Sequence, residues 1–177
     1  GGQGITAECA FEIAKQINAK MVLVGRTPVN DSIQNTLNRY QENGLIAHYY
    51  HCDITDFDQV SKLIKTTNRE LGTITGVIHG AGLVRSRRAE QVTSEQFISE
   101  ISPKLIGAMN IVKALEDQPP KLFVGFTSIT GVTGMSGNSS YGFANEALQL
   151  FLRRYEKQQS KTKVQSIAFS IWDSIGM

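Results

Sequence analysis

Two spacings of apolar residues alternate along this 177-residue chain. Five short runs, at residues 21–25, 46–52, 75–79, 121–127 and 164–170, are rich in Val, Ile, Phe and Tyr and are bounded by Gly, Asp or Ser. Runs of that length and composition predict strands. Between them, apolar positions recur at helical spacing. Ile5, Cys9, Ile13 and Ile17 mark a first helix, and Ile33, Leu37 and Tyr40 a second. Phe57, Val60, Ile64 and Leu71 mark a third, and Ile101, Leu105, Met109, Val112 and Leu115 a fourth. Ala144, Ala147, Leu148, Phe151 and Tyr155 mark a fifth. The moment of such a pattern predicts which helix face is buried. Strand–helix alternation predicts an α/β fold: a parallel sheet with helices on both faces.

Composition narrows the function only slightly. A net charge of +2 without a long Lys/Arg run argues against a nucleic-acid partner. No apolar run approaches the ~18 residues of a membrane span. Cys9 and Cys52 are far apart and lack metal-ligand spacing, so they read as small buried hydrophobes in a reducing, cytoplasmic setting. His48 and His51 share a strand run without a carboxylate cluster, which argues against a metal site.

The chain opens on Gly1-Gly2-Gln3-Gly4-Ile5-Thr6-Ala7, ahead of an Ala-rich helix. Glycines let a backbone approach a pyrophosphate, and the helix that follows directs its free N–H groups at the anion. Alone, this reads equally as a plain glycine loop or a nucleotide site. Arg26 and Thr27 favour the nucleotide. They follow the run 21–25, about 20 residues past the glycines, at the place where the end of the second strand of such folds faces the adenosine ribose. A cation there suits the 2′-phosphate of NADP, whereas a carboxylate would suit NAD. The turn has no strand before it, and a phosphate loop needs the strand that feeds it. The chain is therefore expected to be a piece of a longer polypeptide, truncated before the first strand and after the sixth.

Tyr141 and Asn145 are one helical turn apart on a shared face, and Ser128 follows the strand run ending at Thr127. A Tyr hydroxyl can deliver a proton to a carbonyl oxygen, a nearby ammonium can lower its pKa, and a Ser hydroxyl can hold the oxygen. The trio therefore points to carbonyl reduction fed by a nicotinamide cofactor.

These residues carry a resemblance. The glycine turn, Cys52-Asp53-Ile54-Thr55-Asp56, His79-Gly80-Ala81-Gly82 and the Ser128–Tyr141 spacing together resemble the short-chain dehydrogenase/reductase superfamily. More narrowly, Pro103-Lys104-Leu105-Ile106-Gly107-Ala108, Tyr141-Gly142-Phe143-Ala144-Asn145 and Trp172-Asp173-Ser174-Ile175-Gly176-Met177 resemble ketoreductase domains of type I polyketide and multifunctional fatty-acid synthases. The resemblance runs essentially end to end. Most short-chain reductases place Lys four residues after the Tyr. Here Asn145 stands there and Lys104 lies on the preceding helix, an exchange the synthase ketoreductases share.

The resemblance implies a Rossmann-like doubly wound sheet forming one NADP-binding domain over residues 1–177. It implies a catalytic set of Tyr141, Ser128, Lys104 tuning the tyrosine, and Asn145 ordering a relay water. It also implies Gly1, Gly2, Gln3, Gly4 and Ile5 at the diphosphate of NADPH and Arg26 and Thr27 at its 2′-phosphate. Asp53 and Ile54 fall at the adenine, and His79, Gly80, Ala81 and Gly82 along the ribose and nicotinamide. The expected partners are neighbouring synthase domains and an acyl carrier protein bearing a β-ketoacyl chain on a phosphopantetheine arm.

Departures from the family pattern are specific. Thr6 or Ala7 takes the third glycine position. The chain after Gly82 reads Leu83-Val84-Arg85-Ser86-Arg87-Arg88, without the Leu-Asp-Asp signature of one stereochemical class, and Thr133 replaces the Trp of the other. The product configuration is therefore unassigned. Arg85, Arg87 and Arg88 read either as a rim that meets a phosphate or acidic carrier protein, or as a solvated loop. A free-standing reductase of small ketones and a silent NADP-binding module are the competing functional readings.

Overall fold

The computed structural model describes residues 1–172. Five strands, β1 (Met21–Gly25), β2 (Ala47–His51), β3 (Gly76–His79), β4 (Leu122–Ser128) and β5 (Lys163–Phe169), alternate with six helices. These are α1 (Gly4–Ile17), α2 (Asp31–Glu42), α3 (Phe57–Glu70), α4 (Ser94–Ala114), the one-turn α5 (Thr130–Thr133) and α6 (Ser139–Gln158). All five predicted strand runs form strands, displaced by a residue at some ends. Every ladder is parallel. β1 pairs with β2, and β4 lies between β3 and β5. β1 and β3 do not pair with each other, and α1 packs against both.

Alternation along β1 explains the two covered faces. Leu23 enters a cluster with Ala10, Phe11 and Ala14 of α1 and Tyr40 of α2. Val24, pointing the other way, packs with Cys52 and with Val60 and Ile64 of α3. A third cluster joins Phe123 of β4 to Ala108 of α4 and to Leu148, Leu152 and Tyr155 of α6. Helices on both faces of parallel strands make this the doubly wound α/β architecture predicted above.

Two helices form where predicted but bury a partly different set of residues; of the fourth predicted set, Val112 and Leu115 do enter the core. In α1 the buried residues are Ala7, Ala10, Phe11 and Ala14, while Ile17 is 70% exposed and Ile13 is exposed as well. Small residues let the α1 backbone come close to β1, which branched Ile13 and Ile17 would prevent. In α4 the buried set is Glu100, Pro103, Lys104, Gly107 and Ala108, while Met109 is exposed. Two charged residues on that buried face depart from the rule that buried faces are apolar, and both lie beside the site below.

Helix ends follow their side chains. Thr93 and Gln96 close α4 in a reciprocal capping box. Asp56 caps α3 by accepting from the amides of Asp58 and Gln59, and Asn30 caps α2 by accepting from Ile33.

Candidate active site

Four elements converge at the carboxyl ends of β3 and β4. Ser128 is the last residue of β4, and its Oγ accepts from the Thr130 amide at 3.2 Å. That bond orients the hydroxyl and leaves its hydrogen free to donate elsewhere. The chain then turns through α5 into α6, which carries Tyr141 in its first turn. Gly131 and Gly142 allow this junction to close. A Cβ on Gly131 would lie 3.0 Å from Asn145 Cβ, and one on Gly142 would lie 3.3 Å from Thr130 O. The turn after Ser128 can thus lie directly against the Tyr141 helix.

Asn145 is only 1% exposed. Its Nδ2 donates to Tyr141 O at 2.7 Å, while its Oδ1 is buried without a partner. An orphaned buried acceptor of this kind suits an ordered water.

Lys104 is buried at 4% exposure, and its ammonium donates to the Phe126 carbonyl at 2.9 Å, two residues before Ser128 on β4. Burial pulls its pKa down from 10.5 to about 8. The ammonium therefore stays charged at neutral pH in a low-dielectric setting, where its field is strong. Gly82 packs directly on it: a Cβ there would lie 3.0 Å from Lys104 Cε and 3.3 Å from Nζ.

His79 is also buried. Its Nε2–H donates to the Lys104 carbonyl at 2.8 Å, an assignment the carbonyl dictates. Burial, reinforced by the Lys104 charge, lowers its pKa to about 4, so the ring is neutral. It thus holds the backbone of Lys104 rather than exchanging protons. Gly107 receives the same layer: a Cβ there would press on Ile54 and come within 3.5 Å of the His79 ring.

The glycine turn lies beside β1. A Cβ on Gly1 would sit 3.1 Å from Val24 N, and one on Gly2 3.1 Å from the Tyr49 ring. Gly4 has φ of 62°, a conformation suited to glycine, with open space around it. The first turn of α1 contains no acidic residue, and Gln3 provides no side-chain cap. Its amides are therefore available to an anion. Ile5 is half-buried behind them. Thr6 packs against Gly80, where any side chain would overlap its hydroxyl.

Tyr49, not singled out in the sequence, and His51, considered there only as a metal ligand, support this region. Tyr49 donates its hydroxyl to Thr27 O at 2.6 Å, and His51 Nε2 donates to Arg26 O at 2.9 Å. Their spacing along β2 is the alternation of a strand, which could have flagged them. They fix the backbone of Arg26 and Thr27. The exposed Arg26 guanidinium has no acidic partner among the described residues. Asp53 Oδ1 accepts from the amide and hydroxyl of Thr55 at 2.9 and 2.8 Å, and Ile54 O accepts from Asn110. Ala81 lies between Gly80 and Gly82, half-buried. No cluster of metal-ligating residues occurs among the described residues. Both cysteines are unpaired, and burial raises their thiol pKa values. Of the motif at 172–177, positions 173–177 lie outside the described residues.

Ser128, Lys104 and Asn145 thus lie around the carboxyl end of β4 in a doubly wound α/β fold, with Tyr141 in the first turn of the helix that follows. The chain belongs to the KR domain family, whose model matches residues 1–174. It is 30% identical to polyketide synthase PksL of Bacillus subtilis over its whole length and 33% identical to PksN of the same organism over 82% of it. It spans only 4% and 3% of those two proteins. An N-terminal ketoreductase from the macrolactin assembly line superposes with a TM-score of 0.92 at 32% identity, covering 98% of this chain and 36% of that one.

Proposed function

We propose that residues 1–177 are the catalytic part of one NADPH-dependent β-ketoacyl reductase domain within a polyketide or fatty-acid synthase of the cytoplasm. Its substrate is an acyl chain that a phosphopantetheine arm presents from an acyl carrier protein. The observation that carries this reading is the buried, charged Lys104 between Gly82 and Phe126 O, on the same edge as Ser128, Tyr141 and Asn145.

The residues fit the cofactor. Gly1, Gly2, Gln3, Gly4 and Ile5, with the free amides of α1, would hold the diphosphate. Arg26 and Thr27 would hold the 2′-phosphate, Asp53 and Ile54 the adenine, and the loop from His79 to Gly82 the ribose and nicotinamide. When bound, NADPH supplies the hydride that reduces the β-carbonyl carbon. Ser128, its Oγ already accepting from Thr130 N, points its hydrogen at the carbonyl oxygen. Tyr141 gives its phenolic proton to that oxygen. The Lys104 ammonium supplies positive charge to the site, which favours the negative charge that develops as the proton leaves, and the unpartnered Asn145 Oδ1 orders the water that resupplies the proton. Exposed Ile129, Val132 and Met135 beside Ser128 offer an apolar rim to the acyl chain.

The test is NADPH oxidation by the polypeptide that carries this chain, with a β-ketoacyl thioester mimic. Turnover that prefers NADPH to NADH supports the proposal. Tight NADPH binding without turnover on any ketone would replace it with a silent binding module. Faster turnover of small free ketones would favour a free-standing reductase.

A further inference from the structure

Arg87 does not join Arg85 and Arg88 in an exposed basic rim. Its guanidinium Nη2 lies 2.9 Å from Glu100 Oε1, with side-chain exposures of 22% and 3%. No donor is aligned on that oxygen, so the contact is one of charge rather than a formed hydrogen bond. Glu100 sits one helical turn before Lys104 on the buried face of α4.

The same loop reaches a third element. The Arg87 amide donates to Gly137 O at 2.8 Å, and Ser86 Oγ donates to Asn138 Oδ1 at 3.0 Å. Asn138 is the N-cap of α6, its carbonyl accepts from Gly142 N, and Tyr141 follows three residues later. At the near end of the loop, Gly82 rests on the Lys104 side chain. One loop therefore touches the helix of Lys104 at two points and the start of the helix of Tyr141 at two more.

A buried carboxylate is expensive unless paired, and an apolar residue at position 100 would satisfy packing alone. Buried ionic pairs are best attested as devices that fix register. We infer that Arg87 and Glu100 are a positioning pair: they clamp the loop after β3 between α4 and the start of α6, and so set the distance from the Lys104 ammonium to the Tyr141 hydroxyl. The inference rests on the proposed reduction, in which the Lys104 ammonium and the Tyr141 hydroxyl must be held in register at the substrate carbonyl.

The experiment compares kcat and the NADPH KM of the parent polypeptide and its variants, with a β-ketoacyl thioester mimic. Arg87→Met and Glu100→Gln are expected to lower kcat about ten- to hundredfold. They should leave the NADPH KM within about twofold, as for an interaction outside cofactor binding. Arg87→Lys should restore part of the rate. The double variant Arg87→Met/Glu100→Leu removes both charges while keeping apolar volume, so it should fold and still show the lowered kcat. Arg39→Met, which breaks the remote Arg39–Glu8 pair, should keep the wild-type kcat. A wild-type kcat in the folded double variant, or an equal loss in Arg39→Met, would overturn the inference. Absence of turnover in the wild type would instead overturn the reductase reading, and this inference with it.

Discussion

Replacing Lys104 with Met should stabilise the chain at neutral pH while abolishing its activity. The lysine is buried and its pKa falls from 10.5 to about 8, so the folded state pays to keep it charged. That difference corresponds to about 3 kcal/mol at pH 7, where folded and unfolded states are both protonated. Met matches the length of the side chain and carries no charge. Losing the donor to Phe126 O offsets about 1 kcal/mol, which leaves a net gain of about 2 kcal/mol.

The pH dependence has a definite sign. From about pH 8 to 10.5 the folded wild type has released this proton while the unfolded chain still binds it. Wild-type stability therefore rises with pH across that window relative to Lys104→Met, and the advantage of the variant closes. Urea denaturation of both proteins at stepped pH, followed by far-ultraviolet circular dichroism, measures the gap. A gap constant from pH 8 to 10.5, or a variant less stable by several kcal/mol at pH 7, would refute the idea that the folded protein holds a buried charge here.

Other consequences are independent of that charge. Gly131→Ala would place a methyl 3.0 Å from Asn145 Cβ and 3.1 Å from Glu146 N, prying α5 from α6. It should lower stability by about 1–3 kcal/mol in thermal or urea unfolding and reduce turnover with it. Because burial holds His79 at a pKa of about 4 against 6.5 unfolded, stability should fall by about 3 kcal/mol between pH 6.5 and 4. In His79→Gln that acid slope should flatten, as read by the urea midpoint. Arg26→Ala should cut the preference for NADPH over NADH by about ten- to hundredfold, the worth of one charge-assisted contact, in steady-state kinetics with each cofactor.

The strands were legible because each is a short β-branched and aromatic run with sharp boundaries, and the helices because their apolar spacing is regular. The buried face was not always legible. In α1 the pattern of Ile5, Cys9, Ile13 and Ile17 competes with Ala7, Ala10 and Ala14, and close packing on β1 selects the alanines. In α4 hydrophobicity directs attention to Met109 and away from Glu100 and Lys104, because a functional site places charge where packing would place apolar groups. Resemblance to the synthase ketoreductases, rather than periodicity, is what marks Lys104. The pairing of Arg87 with Glu100 and the backbone roles of Tyr49 and His51 depend on contacts between distant segments, which no local pattern encodes. Gly131 and Gly142 are legible only as glycines, and their purpose emerges where α5 meets α6.

The most direct measurement is NADPH consumption with a β-ketoacyl thioester by the polypeptide carrying this chain, wild type beside Tyr141→Phe. The account predicts steady turnover in the wild type. In Tyr141→Phe it predicts a fall of about 10²- to 10⁴-fold with cofactor affinity preserved, the worth of a positioned proton donor. Undiminished turnover in Tyr141→Phe, or a wild type that binds NADPH and reduces no β-ketoacyl thioester, would contradict it.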